Sequence, residues 1–316
     1  HLPGLFDRVI DIEKCWLQQE PSNAIRLFIK DFTLEHKLSY YNVRSHEGLM
    51  RNVVIRCNGK GEFMVIVVIN EENELVRNVM IPEMQKRFPE IISIMLVINN
   101  KFNDIITDLP FENVYGEECL IETMKAPREG HDDLKFRVGP VSFFQTNVYQ
   151  GERLYKAAFD LADVKGDELM YDLYTGTGTI ALYFARFVKE VVGVEYVEEA
   201  IADAKINSEF NNINNVKFYA GDMAKVFTDE FIEANGRPDF VVTDPPRAGM
   251  HEKVVEQLLK IQPKKIVYIS CNPATQARDL QLLDSLYEVK AVQPVDMFPH
   301  THHVENIVLL KLKTEI

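Results

Sequence analysis

No apolar run in this sequence approaches the roughly 20 residues that a membrane-spanning helix needs. The longest runs, at Phe63–Ile69 and Ile91–Ile98, are only strand-length. Cysteine is sparse. The four cysteines, Cys15, Cys57, Cys119 and Cys271, stand far apart with no Cys-x-x-Cys pair. That spacing excludes a disulfide framework and points to a reducing, cytoplasmic setting. Cations are also short. Against 48 Asp and Glu there are 35 Lys and Arg, a formal net charge of −13. Such a balance argues against general nucleic-acid binding, because neutralising phosphates takes Lys and Arg. The deficit is shared, −5 over residues 1–140 and −8 over the rest. The chain opens at His1 without a methionine or a signal peptide, so a fragment of a longer protein is expected. No Gly-Lys-Ser/Thr string is present, which excludes a P-loop phosphate cradle.

The 316 residues, 46% hydrophobic and 26% charged, suffice for two globular domains. Residues 1–140 read as a smaller α+β domain. An irregular opening leads to a helix from Ser22 or Asn23, either of which can cap it, to about His36. Strands are expected at 52–56 and 62–69, joined by the turn Asn58-Gly59-Lys60-Gly61. A short helix over 80–88 and a strand over 91–98 follow, with further short strands near 104–108, 118–124 and 134–138. From about residue 147 the pattern alternates strictly. Helices are expected at 147–162, 178–187, 197–211, 223–234, 250–262 and 274–284. Strands fall at 168–173, 190–195, 216–220, 239–243 and 265–270, and two more, about 287–295 and 304–312, close the chain without a helix between them. Repeated strand–helix units imply a doubly wound, mostly parallel sheet. The closing hairpin marks the class I methyltransferase version of it.

The string Asp172-Leu173-Tyr174-Thr175-Gly176-Thr177-Gly178 lies where the first strand of this sheet meets its first helix. Glycine there permits a tight turn and close approach to a ligand. A Gly-x-Gly alone fits a plain turn about as well. Glu195 ends the next strand, where a carboxylate can accept both hydroxyls of a ribose. Asp222, after the third strand, is placed to meet an adenine amino group.

Three late segments carry the chemistry: Asp244-Pro245-Pro246-Arg247-Ala248-Gly249, Ser270-Cys271-Asn272-Pro273-Ala274-Thr275, and Asp296 to Glu305 with its Phe298-Pro299-His300-Thr301-His302-His303 core. In this order and spacing, preceded by Ser142-Phe143-Phe144-Gln145-Thr146-Asn147, they resemble the RNA uracil-5 methyltransferase family, most closely its 23S rRNA branch. The resemblance is strong over about 140–312 and loose before that. It implies S-adenosyl-L-methionine as methyl donor, a uridine of rRNA or tRNA as substrate, and a class I methyltransferase catalytic domain over 141–316. Residues 1–140 become an RNA-contacting domain, shortened at its N-terminus. C5 of uracil is a poor nucleophile until a thiolate adds to C6, and a separate base must then remove the C5 proton. By resemblance Cys271 is that nucleophile and Glu305 that base. Asp244 matches a residue between cofactor and uracil, and Gln145, Tyr174 and Glu195 match cofactor-binding positions. Gly176 and Asp222 join them by position alone. The target base must leave its stack, and Phe143, Phe144 or Phe298 could stack on it.

Blander readings stand beside these. A cysteine at a strand end is usually a small buried hydrophobe, and that reading is preferred for Cys57 and Cys119. His300, His302 and His303 form a shaped loop sooner than a metal site. Arg247 either touches phosphate or pairs with a surface carboxylate. Cys15 resembles the fourth ligand of the iron–sulfur cluster that many family members carry. Its three partners would precede His1, so a cluster is possible in the full-length protein only. Competing functions are an amino-directed methyltransferase, which would need no Cys271, a non-catalytic RNA-binding protein that keeps the fold, and a nicotinamide oxidoreductase.

Overall fold

The computed structural model describes residue 4 and residues 9–313. Part of the expected irregular opening therefore lies outside the described residues. The chain divides into two units, one of residues up to 121 with 138–141, the other of 122–137 with 142–316. Among the described residues no helix is long and apolar enough to cross a membrane.

The first unit contains helix α1 (Ser22–Glu35), strands β1 (Met50–Cys57) and β2 (Phe63–Ile69), a π-helical turn (Val76–Met80) running into α2 (Ile81–Arg87), and strands β3 (Ile91–Ile98) and β4 (Glu112–Gly116). The strands order as β1-β2-β3-β4. β2 and β3 are parallel because α2 carries the chain across between them. Every residue of β2 is buried, as its unbroken apolar run requires of a central strand. Ile25, Phe28, Ile29 and Phe32 of α1 pack with Met80, Ile81 and Met84 into the core of this sheet. The β1–β2 turn follows its sequence: the Asn58 side chain accepts from the Lys60 and Glu62 N–H groups, and Gly61 takes φ 79°.

Two local expectations fail. Residues 104–108 form a loop, and the fourth strand comes later, at Glu112–Gly116. Neither Ser22 nor Asn23 caps α1; Pro21 occupies the cap position without a side-chain bond. Asn23 instead bonds both main-chain groups of Cys15, accepting from its N–H at 2.8 Å and donating to its carbonyl at 3.1 Å. The extended segment before the helix offered the amide more partners than the helix end did.

Hairpin β5 (Leu120–Met124) and β6 (Leu134–Val138) precedes α3 (Val148–Ala162). Residues 122–137 group with the second unit, whereas the sequence places them before the boundary at 140. Asn207 and Asn211, one helical turn apart, explain why. Their side chains accept from the Arg137 and Lys135 N–H groups, and Asn211 donates back to the Lys135 carbonyl. The two amides take the place of a neighbouring strand along β6.

The second unit continues β7 (Leu169–Leu173), α4 (Thr179–Ala185), β8 (Glu190–Glu195), α5 (Glu198–Phe210), β9 (Val216–Ala220), α6 (Met223–Val226), α7 (Asp229–Asn235), β10 (Phe240–Thr243), α8 (Glu252–Ile261), β11 (Lys265–Ser270), α9 (Pro273–Leu283), β12 (Tyr287–Val295) and β13 (Glu305–Leu312). The expected helix over 223–234 is thus two. Thr228 breaks it by capping α7, accepting from the Phe231 N–H. The seven strands order as β12-β13-β11-β10-β7-β8-β9. β7 to β11 run parallel, and β13 enters antiparallel between β11 and β12. This is the class I methyltransferase fold. One face buries Tyr171, Val241, Ile266, Tyr268 and Val308 against α6, α8 and α9. Residues of opposite parity meet α3 and α4, where Phe159, Phe184 and Phe240 stack in sequence, 5.1 and 6.2 Å between ring centroids.

Candidate active site

The parallel strands deliver their carboxyl ends to one edge, and β13, being antiparallel, brings its first residue to the same edge. Tyr174 leaves β7 at φ 68°, a conformation seldom adopted by residues with a Cβ. Its N–H and that of Thr175 both donate to the Val194 carbonyl at 3.0 Å, drawing the loop onto β8. Gly176 follows at φ 55° with open space where a side chain would stand. Gly178 serves packing: a Cβ there would lie 3.0 Å from both Ala204 and the Phe218 ring.

Glu195 is half-buried at the end of β8. One carboxylate oxygen accepts from the Tyr196 and Val197 N–H groups at 2.9 and 3.1 Å, the other from Gly176 N–H at 3.1 Å. Backbone donors thus aim the carboxylate over the glycine loop with acceptor capacity remaining. Asp222 has a structural duty of its own. It caps α6, accepting from the Ala224 N–H at 3.0 Å, and pairs with Lys225 at 3.4 Å. A cavity of about 670 Å³ is lined by Tyr174, Tyr196, Asp222, Pro246, His251 and Arg278 among others. It is large enough for a nucleoside. It touches two of the expected cofactor residues, while Cys271 and Glu305 do not line it.

Cys271 follows the last rung of the β11–β13 ladder, Ser270 opposite Asn306. Continued by one residue, that register sets Cys271 against Glu305, and the Glu305 charge reaches the thiol. Facing residues share a side of the sheet. Parity puts both on the α3 side, with Asp172 and Asp244. Cys271 ends its strand because Asn272 and Pro273 start a helix at once: the Asn272 side chain accepts from Ala274 N–H, and Pro273 occupies the first turn. The Arg247 guanidinium lies near enough to the Cys271 thiol for its charge to favour the thiolate. Its loop is latched to α9, since Asn272 and Thr275 side chains donate to the Arg247 carbonyl at 3.0 and 3.1 Å, and Arg278 donates to the Ala248 carbonyl at 2.9 Å. Burial and the Glu305 and Asp244 carboxylates raise the thiol above its ordinary value of 9.0, with Arg247 opposing them. Burial likewise raises Glu305, again opposed by Arg247. Asp244 rises well above the usual carboxylate range through burial and the charges of Glu305 and Asp172.

Gln145 reaches the same crevice. It lies beside the buried Tyr155 of α3, and Gly151 lets it lie close, because a Cβ there would be 2.9 Å from Gln145 Cβ. Asn147 caps α3 and donates to the Met297 carbonyl at 2.8 Å, tying the 142–147 segment to the loop before β13. Phe143 is 69% exposed. Phe144 is not a stacking surface. It is buried against Phe136, ring centroids 5.7 Å apart, because alternation along the segment turns it inward.

One residue of the site went unread in the sequence, and another was read differently. Asp172 is fully buried, with one oxygen accepting from the Thr175 hydroxyl at 2.5 Å and the other unpartnered. Burial pushes its carboxyl up to about 7. A lone carboxylate inside an otherwise apolar central strand was the available signal. Arg247 turns to the thiol, where the sequence suggested phosphate or a surface carboxylate.

Cys57 is half-buried and packs against the first unit's core, and Cys119 is half-buried. His302 and His303 stack at 4.1 Å. Among the described residues no group of three or more His, Cys, Asp or Glu could hold a metal ion.

Comparison with known proteins gives the family. The model of the tRNA (uracil-5-)-methyltransferase family matches residues 118–313. An uncharacterized RNA methyltransferase of Bacteroides thetaiotaomicron is 54% identical over 316 residues, covering 99% of this chain and 68% of that protein. One of Porphyromonas gingivalis is 49% identical, covering 100% and 67%. The chain thus spans about two thirds of these relatives. Among solved structures, the Pyrococcus abyssi tRNA (uracil-54, C5)-methyltransferase in complex with S-adenosyl-L-homocysteine superposes with a TM-score of 0.77 at 33% identity, over 96% of this chain and 70% of that one. The M. jannaschii tRNA m1G37 methyltransferase, at 15% identity and a TM-score of 0.54, shares the fold alone. The chain belongs to the tRNA (uracil-5-)-methyltransferase family and is an RNA (uracil-5-)-methyltransferase.

Proposed function

We propose that this protein methylates C5 of a uridine in 23S rRNA through a covalent bond between Cys271 and C6 of the base, with Glu305 removing the C5 proton. The observation that carries the reading is the facing position of Cys271 and Glu305 at the end of the β11–β13 ladder, with Arg247 on the thiol.

The residues present fit S-adenosyl-L-methionine. Glu195, held by three backbone N–H groups, keeps lone pairs for two ribose hydroxyls, and Gly176 leaves an open cradle. Asp222 and Tyr174 line a nucleoside-sized cavity, and Gln145 and Asp244 lie beside the crevice. When bound, the donor supplies an electrophilic methyl group. The chain's own residues do the rest. Arg247 favours the Cys271 thiolate, which adds to C6 and moves the C5–C6 electron pair towards C5 and the adjoining carbonyl. With the donor bound, C5 would take the methyl carbon as the bond from that carbon to the sulfonium sulfur breaks, the electron pair staying on sulfur and leaving a neutral thioether. Glu305 takes the C5 proton, the C5–C6 double bond returns, and the C6–S bond breaks to release the thiolate. The raised Glu305 carboxyl suits it as a base, since its conjugate acid is weaker than an ordinary glutamic acid. The uridine reaches this edge flipped from its stack, and exposed Phe143 offers a face for it.

The choice of 23S rRNA follows from Cys15, which resembles a cluster ligand of that branch. A tRNA uridine is the other reading, favoured by the likeness to the P. abyssi enzyme. Mass mapping of 5-methyluridine in RNA from a strain deleted for the gene distinguishes them: the mark disappears from 23S rRNA under the first and from tRNA under the second. Cys271→Ala should abolish methyl transfer, and Glu305→Gln should stop turnover while a protein–RNA adduct accumulates. Near-normal transfer by Cys271→Ala would refute the covalent mechanism.

A further inference from the structure

Gln276 lies in α9, five residues beyond Cys271, and is 1% exposed. Its amide nitrogen donates to the Tyr268 carbonyl at 3.0 Å and the Asn306 carbonyl at 3.1 Å. Its oxygen accepts from the Asn306 side chain at 2.7 Å. Tyr268 belongs to the strand that ends in Cys271, and Asn306 is the neighbour of Glu305. Ladder pairing between these strands stops at Ser270 and Asn306, so main-chain bonds stop holding the strands together just where the nucleophile and the base stand. The Gln276 amide takes up the bonding at that point. The same helix also holds the Arg247 loop through Asn272 and Thr275. A leucine could fill a similar volume, so packing alone does not call for an amide here. A buried amide is tolerated only when its partners are in place, which makes the pair sensitive to the spacing of the strands it joins.

We propose that Gln276, acting with Asn306, is a positioning residue that sets the separation between the Cys271 sulfur and the Glu305 carboxylate. The assignment rests on the covalent reading above. Gln276 is buried within the protein, and its effect reaches the chemistry through those two side chains.

The test uses the protein as the cell makes it, with Gln276→Leu and the double variant Gln276→Leu/Asn306→Leu. Two rates are measured. One is multiple-turnover transfer of labelled methyl to total RNA from a strain deleted for the gene, which needs sulfur and carboxylate together. The other is adduct formation on RNA from the same strain grown with 5-fluorouracil. Fluorine at C5 leaves no proton for Glu305 to remove, so this rate needs the sulfur but not the base. Turnover should fall at least about tenfold, because small misplacements of reacting groups are costly, while adduct formation stays within about threefold of the parent. The double variant leaves no side-chain amide unpaired, though the Tyr268 and residue-306 carbonyls lose their donor, so it should melt no lower than Gln276→Leu without regaining turnover. Parent-like turnover in either variant overturns the proposal, as does an equal fall in both rates. Cys271→Ala, run alongside, reports on the covalent reading alone. Activity there removes that reading, whereas an inactive Cys271→Ala beside fully active Gln276 variants removes only the positioning role.

Discussion

Asp172→Asn should move the stability of the catalytic unit in the variant's favour by an amount that grows with pH. The Asp172 carboxyl is 0% exposed with one oxygen unpartnered, and burial lifts it from an ordinary 3.8 to about 7. Below pH 3.8 the folded and unfolded states both hold the proton, and burial of the neutral acid is cheap. Between 3.8 and about 7 the unfolded chain releases its proton while the folded one keeps it, so stability falls as pH rises. Above about 7 both states are ionised and the full penalty applies. At about 1.36 kcal/mol per unit, the penalty is at most about 1.5 kcal/mol at pH 5 and about 4 kcal/mol at pH 8, with relaxation and water entry reducing both. Asparagine carries no charge at any of these pH values. Its carbonyl can replace the oxygen that accepts from Thr175, and its NH₂ then takes the unpartnered position. That orphaned amide costs about 1–3 kcal/mol, but equally at every pH. The diagnostic quantity is therefore the change in the variant-minus-parent difference, about 2–3 kcal/mol in the variant's favour from pH 5 to pH 8. Trp16, the only tryptophan, belongs to the other unit, so its fluorescence does not report on this transition. Hydrogen exchange of peptides spanning β7, followed through a urea series at each pH, does. A difference that stays flat from pH 5 to pH 8 would show that Asp172 is not a strained carboxylate.

Two further outcomes follow from the same geometry. Methyl transfer should rise with pH into the alkaline range, because Glu305 must be ionised and the Cys271 thiol, held above 9.0, must lose its proton. Arg247→Met removes the positive charge that favours the thiolate, so the rising limb should move to higher pH and the rate at pH 7.5 should drop about tenfold; a pH–rate profile with an unmoved limb would exclude this role for Arg247. The two glycines of the cofactor loop should separate in their effects. Gly178→Ala forces a Cβ to 3.0 Å from Ala204 and Phe218 at φ 80° and should cost about 1–3 kcal/mol of stability. Gly176→Ala meets open space and should mainly weaken S-adenosylmethionine binding. Melting curves and calorimetric titration of each variant check this, and equal stability losses would contradict it.

Much of the site was legible because its signals are local. Residues 172–178 join a strand to a helix with glycines at the turn, and Cys271-Asn272-Pro273 ends one element and starts another. Each is a few residues long and carries its own backbone requirement. Asn23 shows the limit of such reasoning. Its type suits a helix cap, but Cys15, eight residues away, offered two main-chain partners. Phe144 shows it again, since neighbouring phenylalanines look alike in sequence while alternation exposes one and buries the other.

From the sequence alone came the order of strands and helices, the glycine loop and Glu195, because periodicity and turn chemistry act over short stretches of chain, while Cys271 and Glu305 were singled out by the family resemblance of their motifs. Only the tertiary structure decided which strand lies between β11 and β12. It thereby decided that Glu305 faces Cys271 across 34 residues of sequence, that Arg247 meets the thiol, and that Asp172 is buried with an unpartnered oxygen. Those outcomes depend on register and packing between distant segments, which no local pattern encodes.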